Sequence, residues 1–153
     1  MRTTAKVDYA VRAAVELAAH GEAPVSAERI ADAQQIPANF LENILLDLRR
    51  AGIVASKRGA AGGYLLAKPA REIVVADVVR AVEGPLASVR GLSPDELDYA
   101  GNAEPLREVW VALRSAVRSV LEHVTIADIA SGKLPAQITK LTREPDAWVR
   151  RGR

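Results

Sequence analysis

The segment from Pro37 to Tyr64, P-A-N-F-L-E-N-I-L-L-D-L-R-R-A-G-I-V-A-S-K-R-G-A-A-G-G-Y, leaves this chain few folds to choose from. Leu41, Ile44, Leu45 and Leu48 recur at helical spacing. Pro37 suits the first turn of that helix because the N–H it lacks has no intrahelical partner there. Arg49 and Arg50 occupy the last turn, where positive charge meets the negative end of the helix dipole, and Gly52 can take the left-handed backbone that closes many helices. Ile53 to Lys57 then reads as a short strand, Arg58 to Gly63 as a glycine-rich tip, and Tyr64 to Ala67 as a returning strand. A helix followed directly by such a hairpin is the reading half of a winged helix-turn-helix.

The residues before it complete the unit. Residues 4 to 20 read as a helix with Val7, Val11, Ala14 and Ala18 on one stripe and Ala10, Ala13 and Leu17 beside it, small side chains that permit close packing. Gly21 to Pro24 is a breaker. Ser26 offers an N-cap oxygen for a second, short helix, Ala27 to Gln35, with Ile30 and Ala31 facing inward. Only Ile36 and Pro37 separate it from the third helix, a turn tight enough to aim that helix into a major groove.

Beyond the hairpin, Lys68 to Arg71 is a turn, Ile73 and Val74 are extended, and Val75 to Glu83 is a fourth helix with Val78, Val79 and Val82 on its apolar face. From Leu86 to Glu104 no period is sustained. That length suits either a sensor segment or a passive linker. Leu106, Leu113 and Val120 then recur every seven residues, as do Trp110, Val117 and Val124, the a and d seam of nearly three heptads, widened by Val109 and Leu121. Such a seam needs a partner helix, either the same helix of a second subunit in a two-fold dimer or the chain's own first helix. Thr125 and Asp128 suggest a capping box for a short helix ending at Gly132. The expected organisation is a DNA-binding unit over residues 1–84, a loop over 85–104, a dimerisation helix with a short following helix over 105–132, and a tail over 133–153. The fold class is mainly α with a small β-hairpin.

Composition excludes several chemistries. The 153-residue chain has no cysteine, which removes disulfides, thiol nucleophiles and zinc–thiolate sites. Its histidines, His20 and His123, lie far apart near helix C-termini, and no nucleophile elbow or phosphate-binding glycine motif is present. No catalytic, metal or cofactor site is expected. Neither a signal peptide nor an apolar span is legible, so the cytoplasm is the expected compartment. Six basic residues (Arg49, Arg50, Lys57, Arg58, Lys68, Arg71) and no acidic one lie between Leu48 and Arg71, although the whole chain carries only +2. Such a block is an electrostatic footprint for phosphate, or else simply a solvated face.

With these residues laid out, the chain resembles the Rrf-two (Rrf2) family of bacterial transcription regulators, the group that includes IscR, NsrR and CymR. The resemblance spans about residues 1 to 132. It rests on K-V-D-Y-A-V-R-A in the first helix, N-F-L-E-N-I-L in the third, L-R-R-A-G-I-V-A-S-K-R-G-A-A-G-G-Y-L-L-A through the hairpin, D-V-V-R-A-V-E-G-P-L after it, and W-x-x-L in the long helix. It implies that Asn39, Phe40, Glu42 and Asn43 meet base edges. It further implies that Arg58 enters the minor groove from a wing shaped by Gly59, Gly62, Gly63 and Tyr64, and that Lys6, Tyr9, Arg50 and Lys57 contact phosphate. A carboxylate such as Glu42 is unfavourable beside phosphate unless it accepts a hydrogen bond from a cytosine amino group; the alternative is an ordinary exposed glutamate. Cluster-binding members carry three cysteines after the fourth helix, and Arg107 lies where they hold a histidine ligand. The resemblance therefore implies a cysteine-free branch, signalled by a small molecule or by a partner protein.

The resulting expectation is a homodimeric, sequence-specific DNA-binding repressor acting on a roughly two-fold operator, without an iron–sulfur cluster. The alternative is a protein-interaction module that regulates through an enzyme or other partner. RNA is disfavoured, because six scattered aromatic residues (two Trp, three Tyr, one Phe) offer no platform for unpaired bases.

Overall fold

The Thr4 side chain accepts a hydrogen bond from the Val7 N–H at 3.2 Å and so opens helix α1 (Ala5–Ala19), in a computed structural model that describes residues 2–150. Val7, Ala10, Ala13, Ala14 and Leu17 form its buried face, and the three alanines let neighbouring helices approach closely. Helix α2 (Ala27–Gln34) is capped by the Ser26 hydroxyl, which accepts from the Arg29 N–H at 3.2 Å. Helix α3 (Ala38–Arg50) buries Leu41, Ile44, Leu45 and Leu48, and helix α4 (Val75–Glu83) adds Val75, Ala76, Val78 and Val82 to the same core. Each fully buried leucine there contributes roughly 2 kcal/mol by leaving water. Pro37 stands just before α3, its carbonyl accepting from the Phe40 and Leu41 N–H groups at 3.0 and 3.1 Å.

Gly52, at φ +72°, closes α3, and the Ile53 N–H returns to the Leu48 carbonyl at 2.9 Å. Strands β1 (Val54–Lys57) and β2 (Gly63–Leu66) pair antiparallel, from Val54 opposite Leu66 to Lys57 opposite Gly63. Both strands lie within one residue of their expected bounds. The hairpin is not free-standing, however. Val25, just after the break between α1 and α2, exchanges two hydrogen bonds of 2.8 Å with Tyr64 and forms a third, one-residue strand. The Gly21 to Pro24 break thus delivers an extended residue that anchors the wing to the helices.

A long helix, α5 (Leu106–Leu121), and two short ones, α6 (Ile126–Ser131) and α7 (Ala136–Thr142), complete the chain. Thr125 and Asp128 form the expected capping box, with bonds of 2.8 and 3.0 Å. One heptad assignment is corrected. Val124 lies beyond the end of α5 and is only 7% exposed, part of the core around α1 and not of a surface seam. Its carbonyl accepts from the Val75 N–H at 2.9 Å, and the Ile126 N–H donates to the Ile73 carbonyl at 2.9 Å. This pairing draws the chain after α5 back into the helical core, so that core extends past residue 84. In the terminal stretch Trp148 is 82% exposed, and Arg151–Arg153, the end of the expected tail, lie outside the described residues.

The aperiodic stretch after α4 is ordered by specific contacts. It contains 3-10 turns at Pro94–Glu96 and Gly101–Ala103 and buries Leu86, Pro94 and Leu97. Three α5 side chains hold it: Arg114 pairs with Asp95 at 2.7 Å, Arg107 donates to the Asp95 carbonyl at 2.8 Å, and the Trp110 indole donates to the Tyr99 hydroxyl at 3.0 Å. The Ser93 hydroxyl, the Asp95 backbone and Arg114 together hold the Asp95 carboxyl at about 2, down from an ordinary 3.8. A depressed carboxylate stabilises the fold above its unfolded pKa. The contribution of this latch is therefore complete above about pH 4 and is lost as pH falls from 3.8 towards 2. In Arg114→Met the Asp95 carboxyl is expected to titrate closer to 3.8, measured through its carboxyl carbon by NMR. A wild-type midpoint already at the ordinary value contradicts the latch.

Candidate nucleic-acid interface

Helix α3 buries one face so completely that its other face is committed to solvent. There, Lys6 of α1 joins Asn39, Phe40, Asn43, Leu46, Asp47 and Arg50 of α3 around a shallow groove of about 410 Å³. The groove gathers three of the expected base-reading residues and two of the expected phosphate contacts. Phe40, 47% exposed, is a large apolar group held at the helix start. Asn43 is exposed, and its side-chain amide donates to the Asn39 carbonyl at 3.3 Å. Glu42 is exposed, with no ion-pair or hydrogen-bond partner among the described residues.

Two expected phosphate contacts have partners within the chain. Lys6 forms an ion pair with Asp47 at 2.8 Å, tying the start of α1 to the latter half of α3. Tyr9 is half-buried, its ring edge-on to Phe40 with centroids 5.9 Å apart and an interplanar angle of 76°. Arg50 and Lys57 are exposed and have no such partner among the described residues.

The wing projects Arg58 from an exposed tip in which the Gly62 N–H bonds the Gly59 carbonyl at 3.0 Å. Its backbone is crowded where it matters. A Cβ on Gly62 would lie 2.2 Å from the Lys57 carbonyl oxygen, so the narrow turn admits no side chain there. Arg49 donates to the Ser56 hydroxyl at 3.2 Å, linking the end of α3 to β1. Exposed basic side chains therefore stand at the end of α3, at the end of β1 and on the wing tip.

Along α5, Trp110, Leu113, Val117 and Leu121 line an apolar groove of about 770 Å³. Its opposite wall is Val7, Val11, Val75 and Val79, from α1 and α4. Leu106 and Val120 are half-buried and stand outside this lining, and Val109 is exposed.

Sequence reasoning passed over a polar ladder on α1, legible as Asp8, Arg12, Glu16 and His20 at four-residue spacing. Arg12 pairs with Asp8 at 2.9 Å and His20 with Glu16 at 3.1 Å. The Glu16 carboxyl is held below its ordinary value chiefly by Gln34, whose amide donates to it at 2.6 Å.

Two helices meeting at a tight turn, the second solvent-facing and followed by a basic wing, define a winged helix-turn-helix protein of the nucleic-acid-binding class. A family model described as an iron-dependent transcriptional regulator, Rrf2, matches residues 3–132. The chain belongs to the Rrf2 family of transcription regulators. A helix-turn-helix-type regulator of Mycobacterium tuberculosis is 49% identical over 142 residues, covering 92% of this chain and 88% of that protein. CymR of Bacillus subtilis is 37% identical over 132 residues, covering 86% and 91%. Among solved structures, CymR, the global cysteine regulator of B. subtilis, superposes with a TM-score of 0.73 at 35% identity, covering 86% of this chain and 98% of that one. IscR of T. potens gives 0.71 at 32% identity, covering 99% and 94%.

The residues of this chain do not fit an iron–sulfur cluster. Clusters are held by thiolates, and the chain has no cysteine. Asp95 is engaged by Arg114, and Arg107, a cation, is bonded to the Asp95 carbonyl. Among the described residues no group of three or more His, Asp or Glu is placed to hold a metal ion.

Proposed function

We propose that this transcription regulator is a homodimeric repressor that seats α3 of each subunit in successive major grooves of a roughly two-fold operator. The observation that carries the reading is the α3 groove, where Lys6 and Arg50 flank Asn39, Phe40 and Asn43. In this reading those three residues and Glu42 face base edges, and Arg58 enters the flanking minor groove, whose negative potential attracts a cation on a narrow tip. Arg50 and Lys57 neutralise phosphate, and Lys6 joins them by exchanging Asp47 for a phosphate oxygen. Leu106, Trp110, Leu113, Val117 and Val120 form the dimer seam, with the second subunit's α5 covering the apolar groove. The protein acts in the cytoplasm, and no helix among the described residues is long and apolar enough to cross a membrane. Its signal, a small molecule or a protein, acts without a cluster.

Selection of bound fragments from the host's genomic DNA by purified protein tests the proposal. A shared inverted repeat is expected. For Arg58→Ala, affinity for that repeat is expected to fall roughly tenfold and the slope of log affinity against log salt to flatten by about one, since one fewer counterion is released. Unchanged affinity removes Arg58 from the interface. Absence of any enriched repeat, with binding insensitive to salt, assigns the surface to a protein partner instead.

A further inference from the structure

The turn between α2 and α3 decides where the reading helix points, and it is held in an unfavourable backbone. Gln35 has φ +51° and ψ +48°, left-handed without being glycine. The turn closes by a 2.9 Å bond from the Ile36 N–H to the Ala31 carbonyl. A non-glycine residue in this region is held there by its surroundings at a cost of roughly 1 kcal/mol or more.

The surroundings are supplied by α1, gripping the adjacent Gln34 twice. Arg12 donates to the Gln34 backbone carbonyl at 2.7 Å, and Glu16 accepts from the Gln34 side-chain amide at 2.6 Å. The same guanidinium pairs with Asp8 at 2.9 Å and lies 4.8 Å above the Tyr9 ring, which meets Phe40 edge-on at the start of α3. Arg12 therefore touches both ends of the connection: the last residue of α2 directly, and the first turn of α3 through Tyr9. Its Nε is buried and has no hydrogen-bond partner, so the group is retained at a cost in desolvation. A lysine could supply the charge but not the planar fork that bonds in two directions and stacks at once.

We infer that Arg12 is a positioning residue for DNA reading: it clamps the helix-turn-helix turn at Gln34 and, through Tyr9, fixes Phe40 at the base-reading end of α3. The inference rests on the DNA-binding reading above and recasts Tyr9 as a spacer between Arg12 and Phe40 in place of a phosphate contact.

Wild-type protein, Arg12→Lys and Tyr9→Leu are compared by fluorescence anisotropy on a labelled duplex recovered in the genomic selection and on a scrambled duplex of equal length. Each is measured at several salt concentrations. Arg12→Lys is expected to lose roughly tenfold in affinity for the recovered duplex, far less for the scrambled one, with the salt slope unchanged because no phosphate contact is removed. Tyr9→Leu removes the ring and is expected to share that loss on the recovered duplex, again with the salt slope unchanged. Arg12→Lys binding within twofold of wild type overturns the clamp, and so does a salt slope flattened by about one, which makes Arg12 a phosphate contact. Equal weakening of Tyr9→Leu on both duplexes restores Tyr9 to the phosphate, and binding as wild type frees it of both roles; either outcome removes the spacer. Amide hydrogen exchange tests the clamp without DNA. Gln35, Ile36 and Phe40 are expected to exchange faster in Arg12→Lys while α4 amides do not change, and unchanged protection overturns the inference even where DNA binding itself fails.

Discussion

Leu113→Asp is expected to convert the protein to a monomer and to lower its affinity for operator DNA by at least about a hundredfold. A carboxylate placed in an apolar seam must be desolvated without a partner, at a cost of several kcal/mol, and a two-fold interface incurs that cost twice. The loss on DNA follows because each half-site would then be bound alone. Leu113 is half-buried on the wall of an open groove, outside the helical core, so the variant is expected to fold. Val111, two positions along α5 and therefore on the opposite side of the helix, is exposed, and Val111→Asp is expected to remain dimeric. Sedimentation equilibrium of both variants separates the cases. A dimeric Leu113→Asp rejects the seam, and a monomeric Val111→Asp moves the interface to the other face.

Gly63→Ala is expected to lower stability by roughly 3 kcal/mol, a large effect for one methyl group. Gly63 has φ +149°, and a Cβ there would lie 2.5 Å from the Val25 carbonyl oxygen and 3.0 Å from the Ser26 nitrogen, all rigid backbone. Either the Val25–Tyr64 pairing breaks, freeing the wing, or the start of α2 shifts and loses its Ser26 cap. Gly59→Ala is the comparison. It meets no atom within 4 Å at φ +107°, so only backbone strain of about 1 kcal/mol is added. Urea unfolding of the two variants decides the matter, and equal stabilities dismiss the strand pairing as an anchor of the wing.

The elements with strong local signals were legible in the chain itself. Leu41, Ile44, Leu45 and Leu48 are all buried on α3, and α4 runs from Val75 to Glu83 as its valine spacing requires. Ser26, Thr125 and Gly52 act where their local chemistry puts them. Of the proposed site, α3 and its wing were legible for the same reason: a helix that hides four aliphatic side chains must expose the residues between them. The family's motifs lie in that same stretch.

What failed was the matching of particular distant segments, although the α5 seam does face the first helix across the groove as one of its two expected partners. The seven-residue recurrence of Val124 is real in sequence. Yet the residue lies past the end of α5, where pairing with the Ile73 to Val75 segment commits it to the core. Val25 carries no strand signal of its own, because a one-residue strand is set by its partner and not by its neighbours. Asp95 and Arg114 stand far apart in the chain, as do Lys6 and Asp47, and no local pattern pairs such charges.

The chain by itself therefore determined α1 to α6, the Ser26 and Thr125 caps, the wing and the exposed face of α3, since these follow from periodicity and from backbone chemistry acting over a few residues, whereas α7 lies in the stretch expected as a tail. The tertiary structure alone decided that Val25 anchors the wing, that Tyr9 and Arg12 stand behind Phe40, and that residues beyond α5 close the first core. Those outcomes are contacts between segments brought together by burial, and only packed coordinates specify which side chains then lie within reach of one another.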